Sequence, residues 1–239
     1  MPDDPTTLEL EKMREEWDQR ARENARYYVA SSKEQWNDEE YFRSGEINLE
    51  QEILTDLGNV CQGKNPKQMR VLEIGCGTGR ITRALAKFFG HVYAVDISGE
   101  MVRQARLALR DSPNAHVFQN NGRDLAVVRE AIGDAPVDFA FSYIVFQHIP
   151  SREVIENYVR EVRLLLRDGA LFKFQVQGFI DDEEPRDSWL GAAFTEQQAR
   201  EMAERCGFEM RYQRGAGEQY YWLWFFHNGR TEASPSLHP

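Results

Sequence analysis

Residues 71–80 read Val71-Leu72-Glu73-Ile74-Gly75-Cys76-Gly77-Thr78-Gly79-Arg80, a buried-strand run that breaks into three alternating glycines and opens a helical pattern. Glycine has no Cβ, so a strand-to-helix turn built from it lets the backbone approach a ligand closely and present N–H groups from the helix N-terminus. A second apolar run ends at Asp96, about 20 residues beyond the turn, where a carboxylate holds a ribose hydroxyl pair. This is the pattern of the first crossover of an α/β sheet, with a pocket for a nucleoside-bearing cofactor.

The spacing of the glycines discriminates between cofactors. Gly75 and Gly77 satisfy the first half of the G-x-G-x-x-G fingerprint for a pyrophosphate, but Arg80 stands where its third glycine belongs, and the glycine has moved to Gly79. Glu73, two residues before the turn, adds a negative charge that repels a diphosphate and suits a ligand with a cationic end. This acid-x-Gly-x-Gly-x-Gly pattern resembles motif I of the class I S-adenosylmethionine (SAM)-dependent methyltransferases. The resemblance implies that the turn Gly75, Cys76, Gly77 and Gly79 carries the cofactor, with Gly75 and Gly77 under its methionine part. It also implies that Glu73 accepts from the amino group and Asp96 binds the ribose.

Composition removes other classes. With 239 residues the chain is long enough for one α/β domain and a short appendage, and 41% hydrophobic with 28% charged residues is ordinary for a globular protein. A net charge of −10 argues against nucleic acid, whose binding rests on Lys and Arg contacts to phosphate. The three widely spaced cysteines, Cys61, Cys76 and Cys206, offer neither a disulfide framework nor a CxxC metal site and suit a reducing, cytoplasmic compartment. No window approaches the apolar length of a membrane span, and the acidic N-terminus is not that of an export signal. The expected chain is cytoplasmic, with no membrane or nucleic-acid partner, and its oligomeric state stays open.

Periodicity lays out the rest. An amphipathic helix carrying Leu10, Met13, Trp17, Ala21 and Tyr28 leads into an aromatic-rich loop over 27–42, and a second helix is expected from Asn48 with the stripe Leu49, Ile53, Leu54, Leu57 and Val60. From residue 70, strands alternate with helices. The expected strands end at Ile74, Asp96, Gln119 and Ser142, and a fifth runs over 170–177. A helix after Pro150 buries Val154, Ile155, Tyr158, Val159, Val162 and Leu166. In the fifth strand, Lys173, Gln175 and Gln177 form a polar face able to line a pocket. Thr195 and Gln198 read as a capping box, and two strands joined at Gly215–Gly217 close the pattern. Together with the resemblance, this implies a Rossmann-like, doubly wound, mostly parallel seven-stranded sheet whose last strand is antiparallel, plus an N-terminal helical arm. The expected organisation is a helical, aromatic arm and possible lid at 1–67, a SAM-binding domain at 68–227 and a disordered tail at 228–239.

The resemblance assigns further positions. After the third strand, Asn120-Asn121-Gly122-Arg123-Asp124 would face the adenine, Asn121 accepting from its amino group, with Ile97 against the ring and Met101 beyond. After the fourth, Ser142 and Tyr143 would lie on the cofactor side. His148, with an ordinary pKa of about 6.5, is the candidate catalytic base. The chain lacks the Asn/Asp-Pro-Pro-aromatic and Pro-Cys signatures of base methylation. Ser142 stands where a metal-dependent member carries an acid, so no metal is expected. The acidic loop over 181–189 reads as a solvated loop able to attract a cationic substrate. The implied function is methyl transfer from SAM to an O, N or C nucleophile of a small molecule. A protein side chain as acceptor, and a catalytically silent SAM-binding regulatory module, are the alternatives. An NAD(P)-linked oxidoreductase shares the sheet but not the glycine spacing.

Overall fold

A computed structural model of the protein describes residues 5–179 and 188–229. Residues 181–187 of the acidic loop and the tail beyond Gly229 lie outside the described residues. Seven strands form one sheet: β1 (Arg70–Ile74), β2 (His91–Asp96), β3 (Ala115–Gln119), β4 (Val137–Ser142), β5 (Leu166–Val176), β6 (Phe208–Arg214) and β7 (Tyr221–His227). Their order is β3-β2-β1-β4-β5-β7-β6, with β7 antiparallel to both neighbours and the remaining pairs parallel. The switch point, where β1 leads to β2 on one side and β4 on the other, is where open α/β sheets bind ligands.

Among the described residues the α-helices are α1 (Pro5–Val29, broken by a kink at Asn24), α2 (Asp38–Glu52), α3 (Leu57–Cys61), α4 (Arg80–Phe88), α5 (Gly99–Ala108), α6 (Ala126–Ile132), α7 (Arg152–Leu165) and α8 (Glu196–Arg205). Central strands are buried on both faces, which is why they read as apolar runs in the sequence. Leu72, Ile74, Ala140, Phe172 and Phe174 pack toward α7 and α8 on one face. Val71, Val92, Phe139 and Leu171 pack toward α2, α3 and α4 on the other. Ser98, Ser151 and Thr195 cap α5, α7 and α8, each side chain accepting from a backbone amide of the first turn, and Thr195 and Gln198 complete the capping box.

Three expectations change. The second helix begins ten residues before Asn48, because Asn37 caps it by accepting from the Glu40 amide and Asp38, Glu39 and Glu40 fill its first turn. It ends at Glu52, and a short 3-10 turn over Leu54–Asp56 separates it from α3. Leu166 opens β5 and does not extend α7. The polar residues of β5 do not line the cleft described below. Lys173 is buried with its ammonium between the carboxylates of Glu52 and Asp56 and over the rings of Trp222 and Trp224. Gln175 accepts from the Ile144 amide, and Gln177 accepts from Phe179.

Candidate active site

At the β1–α4 turn, Gly75 and Gly77 adopt φ of +73° and +52°, conformations that favour glycine. A Cβ on Gly75 would stand 2.3 Å from Val145 Cγ2, and one on Gly77 would stand 2.7 Å from Val29 Cγ2, so side chains from two directions close over the turn. Four of the turn amides are already engaged. Those of Gly75 and Cys76 donate to the Val95 carbonyl at 2.8 and 3.0 Å, that of Gly79 donates to Cys76, and that of Gly77 donates to Asp96 Oδ2 at 2.9 Å. These four amides are turned to the protein's own acceptors. A phosphate would have to break these bonds.

The turn forms one wall of a cleft of about 890 Å³, its open mouth included. Of the positions singled out in the sequence, Glu73, Gly75, Cys76, Gly77, Asp96, Ile97, Met101, Tyr143 and His148 line it. Four do not. Gly79 precedes α4 and packs on Leu109 and Ala105, and Gly122 packs on Leu10 and Ile97. The buried Ser142 hydroxyl donates to the Ile74 carbonyl and ties β4 to β1. Asn121 is exposed, and its carbonyl oxygen accepts from the amides of Arg123 and Asp124 in a local turn. Its neighbour Asn120 lines the cleft instead. Asn120 Nδ2 donates to the Tyr158 hydroxyl at 2.7 Å, and its buried Oδ1 has no donor.

Two carboxyl groups face the cleft from the ends of adjacent strands. Burial pushes Glu73 up to about 7, although the Thr82 hydroxyl donates to it at 2.6 Å and Arg80 lies nearby. Burial likewise pushes Asp96 up to about 6, against the amides of Ser98 and Gly77 that donate to it. Burial raises the Cys76 thiol well above its ordinary range, which keeps it protonated and unreactive.

Beyond β4 the chain bends through Ile144, whose φ of +55° is rare for a β-branched residue. The bond from its amide to Gln175 holds that conformation, and Ile144 and Val145 line the cleft. The carbonyl of Trp189 lies 2.7 Å from His148 Nδ1. A carbonyl only accepts, so Nδ1 carries the proton, and Nε2, 3.5 Å from Gln147 Nε2, is the ring's accepting position. The imidazole packs edge-on against Trp17 and tilted against Trp189.

Helix α1 lies across the cleft, contributing Met13, Trp17, Tyr28 and Val29 to its wall. Asp18 Oδ1 anchors it by accepting from the Ser98 hydroxyl at 2.5 Å and the Glu100 amide at 3.1 Å. Ser188 bridges Glu16 and Arg20 on its other side. Arg80, Tyr158 and these α1 residues were visible in the sequence only as a turn position, a helix stripe and an arm, and tertiary packing is what brings them to the cleft together with Asn120.

Residues 71–169 match a family model described as a methyltransferase domain. The match spans 99 of the 239 residues, and over that segment the chain is similar to the methyltransferase domain. Among curated relatives, the chain is 34% identical over 74 residues to dTDP-3-amino-3,6-dideoxy-alpha-D-glucopyranose N,N-dimethyltransferase of Streptomyces fradiae, a match covering 31% of this chain and 28% of that one. It is 32% identical over 114 residues to malonyl-acyl-carrier-protein O-methyltransferase 1 of Ilyobacter polytropus, covering 47% and 39%. The chain thus spans well under half the length of these relatives. Its fold is similar to magnesium protoporphyrin IX methyltransferase from Synechocystis PCC 6803 with bound SAH, with a TM-score of 0.65, 16% identity and coverage of 94% and 100%. Among the described residues, no helix is long and apolar enough to cross a membrane, and no group of three or more His, Cys, Asp or Glu is placed to hold a metal ion.

Proposed function

We propose that this protein transfers a methyl group from SAM to an O, N or C nucleophile of a small molecule. The observation that carries the reading is the cleft's combination of two carboxyl groups at neighbouring strand ends with a glycine turn, four of whose amides are already bonded within the protein. That set suits a cationic nucleoside without phosphate.

The residues present fit the cofactor. Asp96 would take the ribose hydroxyls, Glu73 the amino group, and the orphaned Asn120 Oδ1 the adenine amino group, the role that the resemblance placed on Asn121. Gly75 and Gly77 leave room for the methionine part, while Ile97 and Met101 supply apolar wall. When bound, SAM supplies a methyl group on a sulfonium, whose charge disappears as the methyl leaves for the acceptor. The protein's work is alignment and exclusion of water. His148 Nε2 takes the proton of an acceptor hydroxyl or amine, and its bond to Trp189 holds the ring in the tautomer that can do so. The arm, α1 above all, acts as the lid. The named relatives include an N,N-dimethyltransferase and a malonyl-acyl-carrier-protein O-methyltransferase, and both N and O acceptor atoms fit the reading. Cys61, Cys76 and Cys206 are free and buried, which suits a reducing, cytoplasmic setting. No step of this reading calls for a metal.

Calorimetry with SAM, SAH and NADH tests the cofactor, and preference for NADH overturns the reading. With an acceptor found by labelled-methyl screening, His148→Gln is expected to lower kcat roughly 10²- to 10⁴-fold at unchanged SAH affinity. An unaltered kcat removes His148 from the role. Truncation of residues 1–45 that leaves turnover and acceptor affinity intact removes the lid.

A further inference from the structure

One cation lines the cleft without an acid bonded to it. Arg80 is 5% exposed. Its Nη1 donates to two neutral oxygens of α2, Ser44 Oγ at 3.2 Å and Asn48 Oδ1 at 2.5 Å, and its buried Nε has no acceptor. The nearest acid, Glu73, is committed to Thr82. A guanidinium stays protonated at any physiological pH. Held out of water with neutral partners only, it is a costly group until an anion reaches it.

The surroundings keep Arg80 there. It opens α4, whose nine residues have no acid in the first turn and no side-chain cap, so the positive end of the helix lies beside the guanidinium. Gly45 brings α2 so close that a Cβ would stand 2.3 Å from the Arg80 carbonyl oxygen, which fixes Ser44 and Asn48 against the side chain. Asn48 also donates to the Tyr143 hydroxyl at 3.1 Å, leaving that hydroxyl's proton to give to a ligand.

We propose that Arg80, flanked by Asn48 and Tyr143, is a carboxylate-binding subsite at the α4 end of the cleft. The planar fork of donors matches a carboxylate. Two carboxylates can supply it: the amino-acid end of the donor, which rests on the SAM reading above, or an acidic group on the acceptor.

The test compares SAH with its decarboxylated analogue, 5′-S-(3-aminopropyl)-5′-thioadenosine, by calorimetry on the wild-type protein, which needs no variant to fold. Removing the carboxylate is expected to weaken binding roughly 10- to 100-fold. Arg80→Gln should erase that difference by weakening SAH alone, and Arg80→Lys should restore part of it, with melting curves confirming that both variants fold. If wild-type protein does not distinguish the two nucleosides, butyrate is titrated into the SAH complex. Binding that Arg80→Gln abolishes assigns the subsite to the acceptor. Absence of both effects overturns the proposal. Failure of SAH to bind at all refutes the cofactor reading instead, and butyrate titrated into the free protein then decides whether Arg80 holds a carboxylate.

Discussion

Asp96→Asn separates the cost of the cleft's charge from its use. Burial holds the Asp96 carboxyl at about 6 in the folded protein against an ordinary 3.8. Below 3.8 the group is protonated in both states and contributes nothing to the difference. As pH rises from 3.8 to 6 the unfolded chain ionises first, so the folded protein loses stability relative to it, by about 3 kcal/mol once both are ionised. An amide does not titrate. Between about pH 4 and about pH 7.5 the variant's stability relative to wild type should therefore rise by about 2–3 kcal/mol, worth roughly 5–10 °C in melting temperature. This trend survives any fixed offset from the amide nitrogen facing a backbone N–H, since both Asp96 oxygens accept one. Binding should move the other way. Losing a charge-assisted bond to ribose costs about 1.5–3 kcal/mol, so SAH affinity falls roughly 10- to 100-fold. Parallel urea titrations across pH and calorimetry read the two quantities. A stability difference that does not change with pH, or SAH affinity untouched by the substitution, refutes the reasoning.

Three other perturbations follow from the packing. Gly45→Ala should cost about 1–3 kcal/mol, because the new Cβ meets a backbone oxygen that cannot swing aside, and it should appear as a lower urea midpoint at unchanged slope. Lys173→Met leaves Glu52 and Asp56 without their shared cation and should cost about 3 kcal/mol, most of it recovered when Glu52→Gln and Asp56→Asn are added. Asp18→Ala removes the acceptor for the Ser98 hydroxyl and the Glu100 amide, at about 1 kcal/mol in thermal melts. Asp18 also pushes Asp96 up, so this variant should carry the acid-side loss of SAH affinity to lower pH.

What the sequence made legible was what periodicity and a short turn can encode. The strands β2 and β4 fall where the apolar runs place them, because parallel strands buried on both faces must be apolar throughout. Thr195 and Gln198 announced their helix through a local hydrogen-bond pattern. The start of α2 was missed because its signal is the cap Asn37, set among aromatic residues without a stripe, and because Gly45 discourages a helix until Arg80 is seen against it. Asn120 and Asn121 are chemically identical neighbours. Only the way the chain leaves β3 decides that one enters the cleft and the other closes a turn. The polar face of β5 was visible, but the carboxylates that bury Lys173 come from 117 and 121 residues away, a distance no local pattern spans.

The contrast between the two buried cations bears on the site as a whole. Lys173 is enclosed by two carboxylates and two indole rings, so this fold can satisfy a buried positive charge with its own side chains. At the cleft it does the opposite with several groups at once. Arg80 keeps an unbonded Nε, Asn120 an unbonded Oδ1, Glu73 and Asp96 are held where ionisation is costly, and Ile144 sits in a left-handed conformation. Each of these raises the free energy of the empty protein, and all of them line one cavity. Two further unbonded buried atoms, Gln147 Oε1 and His227 Nε2, lie outside that cavity, but the costs just named meet within it. Their concentration at the switch point of the sheet is what a ligand carrying its own donors and its own acid would relieve, so the free energy withheld from folding becomes available for binding.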